Sequence, residues 1–202
     1  MTLDKALSIA DLRGLAKKRL PKILFELIES GVEDEHGVTH NEAVFRAYRM
    51  MPRYLGDIHT RDIATTLFGQ RHAGPFGIAP TGFAALLRPR AEFHLAAAAR
   101  EAGIPFIVSG AGAAAIEDLV AVDPSLWYHL YPAKDGRITD AIVGRVAEAG
   151  VSTLVLTVDN PVYPKRERDI RNGFSLPLRM TPSLVLDGLR HPAWVVEYLR
   201  SG

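Results

Sequence analysis

Between residues 76 and 159 the chain repeats one pattern, a short apolar run followed by a stretch of helical periodicity. The apolar runs are "FGIAP" (76–80), "PFIVSG" (105–110), "LWYHLY" (126–131) and "STLVLTVD" (152–159). Between them lie "RAEFHLAAAAREAG", which places Phe93, Leu95, Ala96 and Ala99 ahead of Gly103, the short "AAIEDLVAV", and "RITDAIVGRVAEAG", which places Ile138, Ile142, Val143 and Val146 ahead of Gly150. Strand centres recur about every 22 to 29 residues, the length of a β/α unit. The runs show no polar alternation, so they suit parallel strands covered on both faces. A doubly wound sheet and a (β/α)8 barrel both offer that arrangement. A complete barrel needs eight units and about 250 residues; this chain of 202 residues carries four. It reads as about half a barrel, residues 76–202, behind an N-terminal extension, residues 1–75.

That extension begins with helical spacing. "SIADLRGLAKKRL" sets Ile9, Leu12, Leu15, Ala16 and Leu20 on one face with Ser8 as N-cap, and Pro21 opens "PKILFELIESG", which Gly31 closes. "TRDIATTLFGQRHAG" predicts a hairpin-like excursion. Beyond the fourth unit, "SLPLRMTPSLVLDGLRHPAWVVEYLRSG" predicts one further helix around 192–200.

Charge narrows the partners. Lys plus Arg number 24 against 23 Asp plus Glu, a net charge of +1 that gives no general pull toward nucleic acid. With no cysteine, disulfides, thiolate metal sites and Cys nucleophiles are excluded. The N-terminus mixes acids and bases and lacks the apolar core of a signal peptide. A cytoplasmic protein is the expectation.

In β/α folds functional groups gather where strands end. The four ends read "IAPTG", "VSGAG", "WYHLY" and "LTVDNP". Ala79 to Gly82 leave room for a flat ligand, Ser109 and Thr157 offer hydroxyls, and His129 and Tyr131 share a strand face. No P-loop or complete dinucleotide fingerprint is present, since "GAGAAAIEDL" lacks the third glycine. His36 and His40, near Glu33 and Glu35, lack a third ligand and read as a solvated loop, so no metal site is expected. The "KRERDIR" run reads as a solvated or self-paired loop, Asp159 as a loop-holding residue, and Trp127 and Tyr128 as packing.

Taken in order, "RLPKILFELIESGVEDEHGVTHNEAVF", "IAPTG", "AGIPFIVSGAGAAAIEDL", "LWYHLYPAKD" and "LTVDNP…KRERDIRNGF…LP" resemble the N-terminal half of the FMN-dependent α-hydroxy acid oxidases and dehydrogenases, with "GVEDEHGVTHNEAVF" most like the mandelate dehydrogenase branch. The resemblance implies a (β/α)8 TIM barrel with FMN at the C-terminal strand ends. It implies that Pro80, Thr81 and Gly82 lie against the flavin ring and that Ser109 and Thr157 contact it. His129 stands where the family usually has Gln, another ring contact. Tyr131 matches the catalytic Tyr that bonds the substrate near its reacting carbon, and Arg166 the Arg near the substrate carboxylate. Phe25 stands where most members have a carboxylate-binding Tyr.

The implied reaction is oxidation of an L-2-hydroxy acid, of lactate, glycolate or mandelate type, to the 2-oxo acid. The base His, the main carboxylate Arg and a Lys near the flavin belong to the family's C-terminal half, which becomes the expected partner of this chain. Alone, the chain is expected to be inactive, and a non-catalytic half-barrel that binds flavin or a partner is the alternative. The resemblance further implies a homo-tetramer, with membrane association, peripheral to the inner membrane, through the missing half.

Overall fold

The computed structural model describes residues 2–158, 162 and 164–201. The chain divides into two compact units, Gly56–Pro161 and Met1–Leu55 with Val162–Gly202.

The first of these units carries the sheet. It opens with an antiparallel hairpin, β1 (Thr65–Leu67) and β2 (Gln70–His72), as the excursion predicts. Phe68 and Gly69 both have positive φ, 50° and 81°, the backbone a tight primed turn requires. A parallel sheet follows in the order β3 (Ile107–Ser109), β4 (Trp127–Leu130), β5 (Leu154–Leu156). The "FGIAP" run is no full strand: it joins β3 through a single parallel bridge, Ile78 to Phe106. Proline on either side of "FGIA", at Pro75 and Pro80, removes two ladder donors, which accounts for the short pairing. Ile78, β3, β4 and β5 therefore lie side by side in chain order without reversal. A doubly wound sheet needs a reversal, whereas consecutive barrel strands have none.

Helices α4 (Ala84–Leu87), α5 (Ala91–Ala102), α6 (Ile116–Val122) and α7 (Gly136–Glu148) connect these strands. Gly103 ends α5 in the left-handed region, φ 65°, where a side chain would be strained. The core joins Ala96 and Ala99 of α5, Ile116 and Leu119 of α6, and Phe106, Val108 and Leu126 of the sheet. Two alanines on one helix stripe allow a close approach to the strands. Phe106, Val108 and Tyr128 thus mark the helix-facing side, and Ser109 and His129, one residue along the pleat, face the other. Trp127, 8% exposed, meets Phe68 and His72 edge to face at 5.3 and 6.1 Å, so it packs as expected.

The second unit is helical. Ser8 caps α1 (Ile9–Arg19) in a reciprocal capping box with Asp11. Pro21 precedes α2 (Lys22–Glu29), whose Ile23, Leu24, Phe25 and Leu27 are buried. His36 and His40 lie on a helix, α3 (His36–Val44), rather than in a loop. Its apolar residues, Val38, Ala43 and Val44, form no single stripe, so periodicity gives no sign of it. The "KRERDIR" loop is likewise a helix, α8 (Glu167–Arg171), and it is self-paired as expected: Glu167 bridges Lys165 and Arg171. The single C-terminal helix of the sequence reading is two, α9 (Pro182–Leu189), capped by Thr181 with proline in its first turn, and α10 (Pro192–Ser201). Asp159 lies outside the described residues.

Candidate functional site

The strand ends form a row. Ser109 pairs directly with His129 across β3 and β4, and His129 pairs with Val155 of β5. Thr157, two residues beyond Val155, returns to the same side, and its Oγ1 lies 2.5 Å from His129 Nε2. Tyr131, two residues beyond His129, presents its ring edge to face at 4.6 Å from the His129 centroid and remains 47% exposed. Four of the residues singled out by sequence therefore converge at one end of one sheet.

The loop after Ile78 adjoins this row. Pro80 and Gly82 are half-buried and Thr81 is exposed. A Cβ added to Gly82 would lie 3.4 Å from the Ala111 Cβ and 3.9 Å from Ser109 Oγ, so the backbone runs close to the β3 end. The following residue, Phe83, donates its N–H to the Ala111 carbonyl at 3.1 Å. The Ser109 hydroxyl, 7% exposed, accepts from Ala111 N at 3.2 Å, which leaves its proton to donate elsewhere.

The remaining two candidates belong to the helical unit. Phe25 is buried in α2, with the Arg13 guanidinium 5.7 Å above its ring. Arg166, ahead of α8, is heavily engaged. Its Nη2 donates to the carbonyls of Leu27 and Ser30, at 2.5 and 2.8 Å, and to Ser30 Oγ at 2.8 Å, while Nε pairs with Asp169 at 3.2 Å. It secures the C-terminal carbonyls of α2, a role the motif alone does not disclose.

Behind the row, on the helix side of the sheet, a cavity of about 370 Å³ is floored by Val108 and Tyr128 and walled by Ile142 and Val146. Burial pushes the Tyr128 phenol up from its ordinary pKa. At the same helix layer Arg145 makes a two-pronged pair with Glu117, at 2.7 and 2.8 Å, and holds that carboxyl down to about 2. Among the described residues no cluster of His, Asp and Glu is placed to hold a metal ion.

The row suits a flat heteroaromatic ring. Two hydroxyls and an imidazole on three neighbouring strands, with Thr157 and His129 in direct contact, offer donors and acceptors along one edge, and small residues on the neighbouring loop leave a ring face accessible. The profile of the FMN-dependent dehydrogenases matches residues 16–202. The chain belongs to the FMN-dependent dehydrogenase family. It is 40% identical to (S)-mandelate dehydrogenase of Pseudomonas putida over 96% of this chain and 50% of that protein. It is 42% identical to a putative L-lactate dehydrogenase of Mycobacterium tuberculosis H37Rv over 98% of this chain and 48% of that one. The crystal structure of the monotopic membrane protein (S)-mandelate dehydrogenase superposes with a TM-score of 0.93 at 40% identity, covering 98% of this chain and 53% of that one. The chain thus spans about half the length of the relatives it matches.

Proposed function

We propose that this chain supplies the flavin-facing N-terminal half of an FMN-dependent dehydrogenase that oxidises an L-2-hydroxy acid, of mandelate or lactate type, to the 2-oxo acid. The observation that carries this reading is the Ser109–His129–Thr157 row at the ends of parallel strands laid down in chain order. Residues 76–202 form the first four units of a (β/α)8 barrel and residues 1–75 its N-terminal extension. FMN, when bound, accepts the electron pair released from the α-carbon of the hydroxy acid.

The residues of this chain bind and orient. Pro80, Thr81 and Gly82 give the ring a close backbone surface, and Ser109, His129 and Thr157 hydrogen-bond its polar edge. Tyr131, exposed beside His129, offers its phenol to the substrate. Phe25 lacks a hydroxyl, so an apolar substituent on the substrate, such as a phenyl ring, is favoured over a donor-dependent carboxylate contact at that position. Arg166 acts on substrate binding by fixing α2, which carries Phe25. The proton-accepting base belongs to the C-terminal half of the barrel, and the assembled protein is a homo-oligomer.

The reading includes peripheral membrane contact. Leu186, Leu189 and Leu199 of α9 and α10 are 54%, 71% and 77% exposed, beside the stacked pair Trp194 and Tyr198. No helix of the described residues is long and apolar enough to cross a membrane. An apolar surface with an aromatic pair suits insertion at the lipid interface. This surface supports a contribution of α9 and α10 to membrane contact beside that of the C-terminal half.

Anaerobic addition of (S)-mandelate and of L-lactate to the full-length protein tests the catalytic reading. Bleaching of the visible flavin band by either acid is expected with both halves present and not with residues 1–202 alone. A full-length protein that binds FMN without bleaching leaves the alternative, a flavin-binding scaffold.

A further inference from the structure

Glu92 lies in the first turn of α5, yet it is only 3% exposed. First-turn acids ordinarily face water while favouring the helix dipole. Here the carboxylate turns toward the β3 end, and Oε1 accepts from Ala113 N at 3.2 Å. The loop it holds is tightly wound. Gly110 N donates to the His129 carbonyl at 2.8 Å, and Gly112 N to the Ser109 carbonyl at 2.9 Å. A Cβ on Gly112 would stand 3.0 Å from the Ser109 carbonyl and 3.2 Å from Glu92 Oε1, so a side chain there would push loop and carboxylate apart by a few tenths of an ångström. Ala111, at the crest, accepts from Phe83, which directly follows Gly82.

We propose that Glu92 is a positioning residue that fixes both loops assigned above to the flavin face. The links run from Glu92 to Ala113, along the wound loop to Ala111, and from Ala111 to Phe83 and the Pro80–Gly82 segment. The same loop aims the Ser109 hydroxyl through Ala111 N. Glu92 touches neither cofactor nor substrate; it acts through the height of the loop. What it supplies is a hydrogen-bond acceptor at Ala113, and glutamine in its place retains that acceptor. The flavin part of this inference rests on the proposed function; the coupling between the two loops does not.

The test uses the full-length protein with E92A and E92Q, read by amide hydrogen exchange at Ala113 and Phe83, by FMN dissociation and by the flavin visible spectrum. Ala113 is exposed, so this hydrogen bond is its protection. In E92A, exchange at both amides rises and FMN binds more weakly, each by about tenfold, with a shifted flavin spectrum; E92Q stays within about threefold of wild type. Unchanged exchange at Phe83 in E92A overturns the coupling, and damage by E92Q equal to that by E92A overturns the acceptor role. Should E92A fail to fold, G112A pushes the loop from the other side and gives the same exchange pattern. Faster exchange in E92A, in a protein whose wild type binds no FMN, would retain the coupling and overturn its flavin role.

Discussion

The two units of this chain are held together by different physics. In Gly56–Pro161 the strands rest on an apolar cluster in which Phe106, Leu119 and Leu126 are no more than 2% exposed. In the helical unit, burial is confined largely to α2, and charged groups make most of the ties: Arg13 to Glu29, Arg19 to Glu197, Arg168 to Glu35, and Arg166 to the α2 carbonyls. Apolar burial is insensitive to salt and costs heavily when a cavity opens. Exposed ion pairs contribute little each and weaken with ionic strength. The strand-end row therefore sits on the part of the molecule best able to hold its groups within the small tolerance that the proposed ring binding would require.

The sharpest way to break this contrast is Phe106→Ala, which opens a cavity beneath β3 and is expected to cost about 3–5 kcal/mol in denaturant unfolding. A loss below about 1 kcal/mol would mean that the sheet is not core-dominated. Arg166→Ala comes next. It strips charged donors from the Leu27 and Ser30 carbonyls and should cost about 1.5–3 kcal/mol, with faster amide exchange in α2 as the local readout. Arg168→Ala removes the Glu35 partner and should cost only ~0.2–1 kcal/mol, a difference that fades as salt is added. A loss independent of salt would show that this pair is not the surface interaction described.

The smallest effect lies in the sheet unit itself, at the exposed pair Arg145 and Glu117. The side-chain hydrogen bond from Arg145 holds the Glu117 carboxyl at about 2 instead of its ordinary 4.5. A depressed folded-state pKa stabilises above the unfolded value, and that contribution is lost as pH falls from about 4.5 through about 2. In Arg145→Gln the Glu117 inflection, followed by carboxyl-carbon NMR, should move back toward 4.5. An inflection that stays near 2 would assign the shift to the backbone rather than to Arg145.

The same contrast governs what could be read from sequence. In the sheet unit, local pattern and final structure agree: Gly103 ends α5, and the apolar runs at 105–110, 126–131 and 152–159 contain β3, β4 and β5. Strand-end residues were legible because parallel topology alone assigns them to one end of the sheet. The exception is "FGIAP", where flanking prolines outweigh apolar content. In the helical unit the fit is looser. The polar α3 has no apolar stripe, and α9 was concealed because "PSLVLDGL" joins α10 through only two residues, Arg190 and His191. Partners distant in sequence were not legible either. Nothing local ties Arg166 to Leu27 and Ser30, or turns Glu92 inward to Ala113, because those choices are made by tertiary contacts.

The order of the strands has one more consequence, for how the chain is made. In the parallel sheet β4 lies beside β3 and β5 beside β4, each next to the strand synthesised just before it, and α5 and α6 pack back onto that sheet. Pairings within this sheet are therefore the closest in sequence, so a β/α unit can dock on its predecessor as it leaves the ribosome, whereas the ties of Arg166 to Leu27 and of Arg19 to Glu197 wait for distant segments. The newest strand is always the template for the next. In the described residues that position is held by β5, paired on one side to β4. Its Leu154 and Leu156, 42% and 49% exposed, mark the growing front of a sheet built one strand at a time.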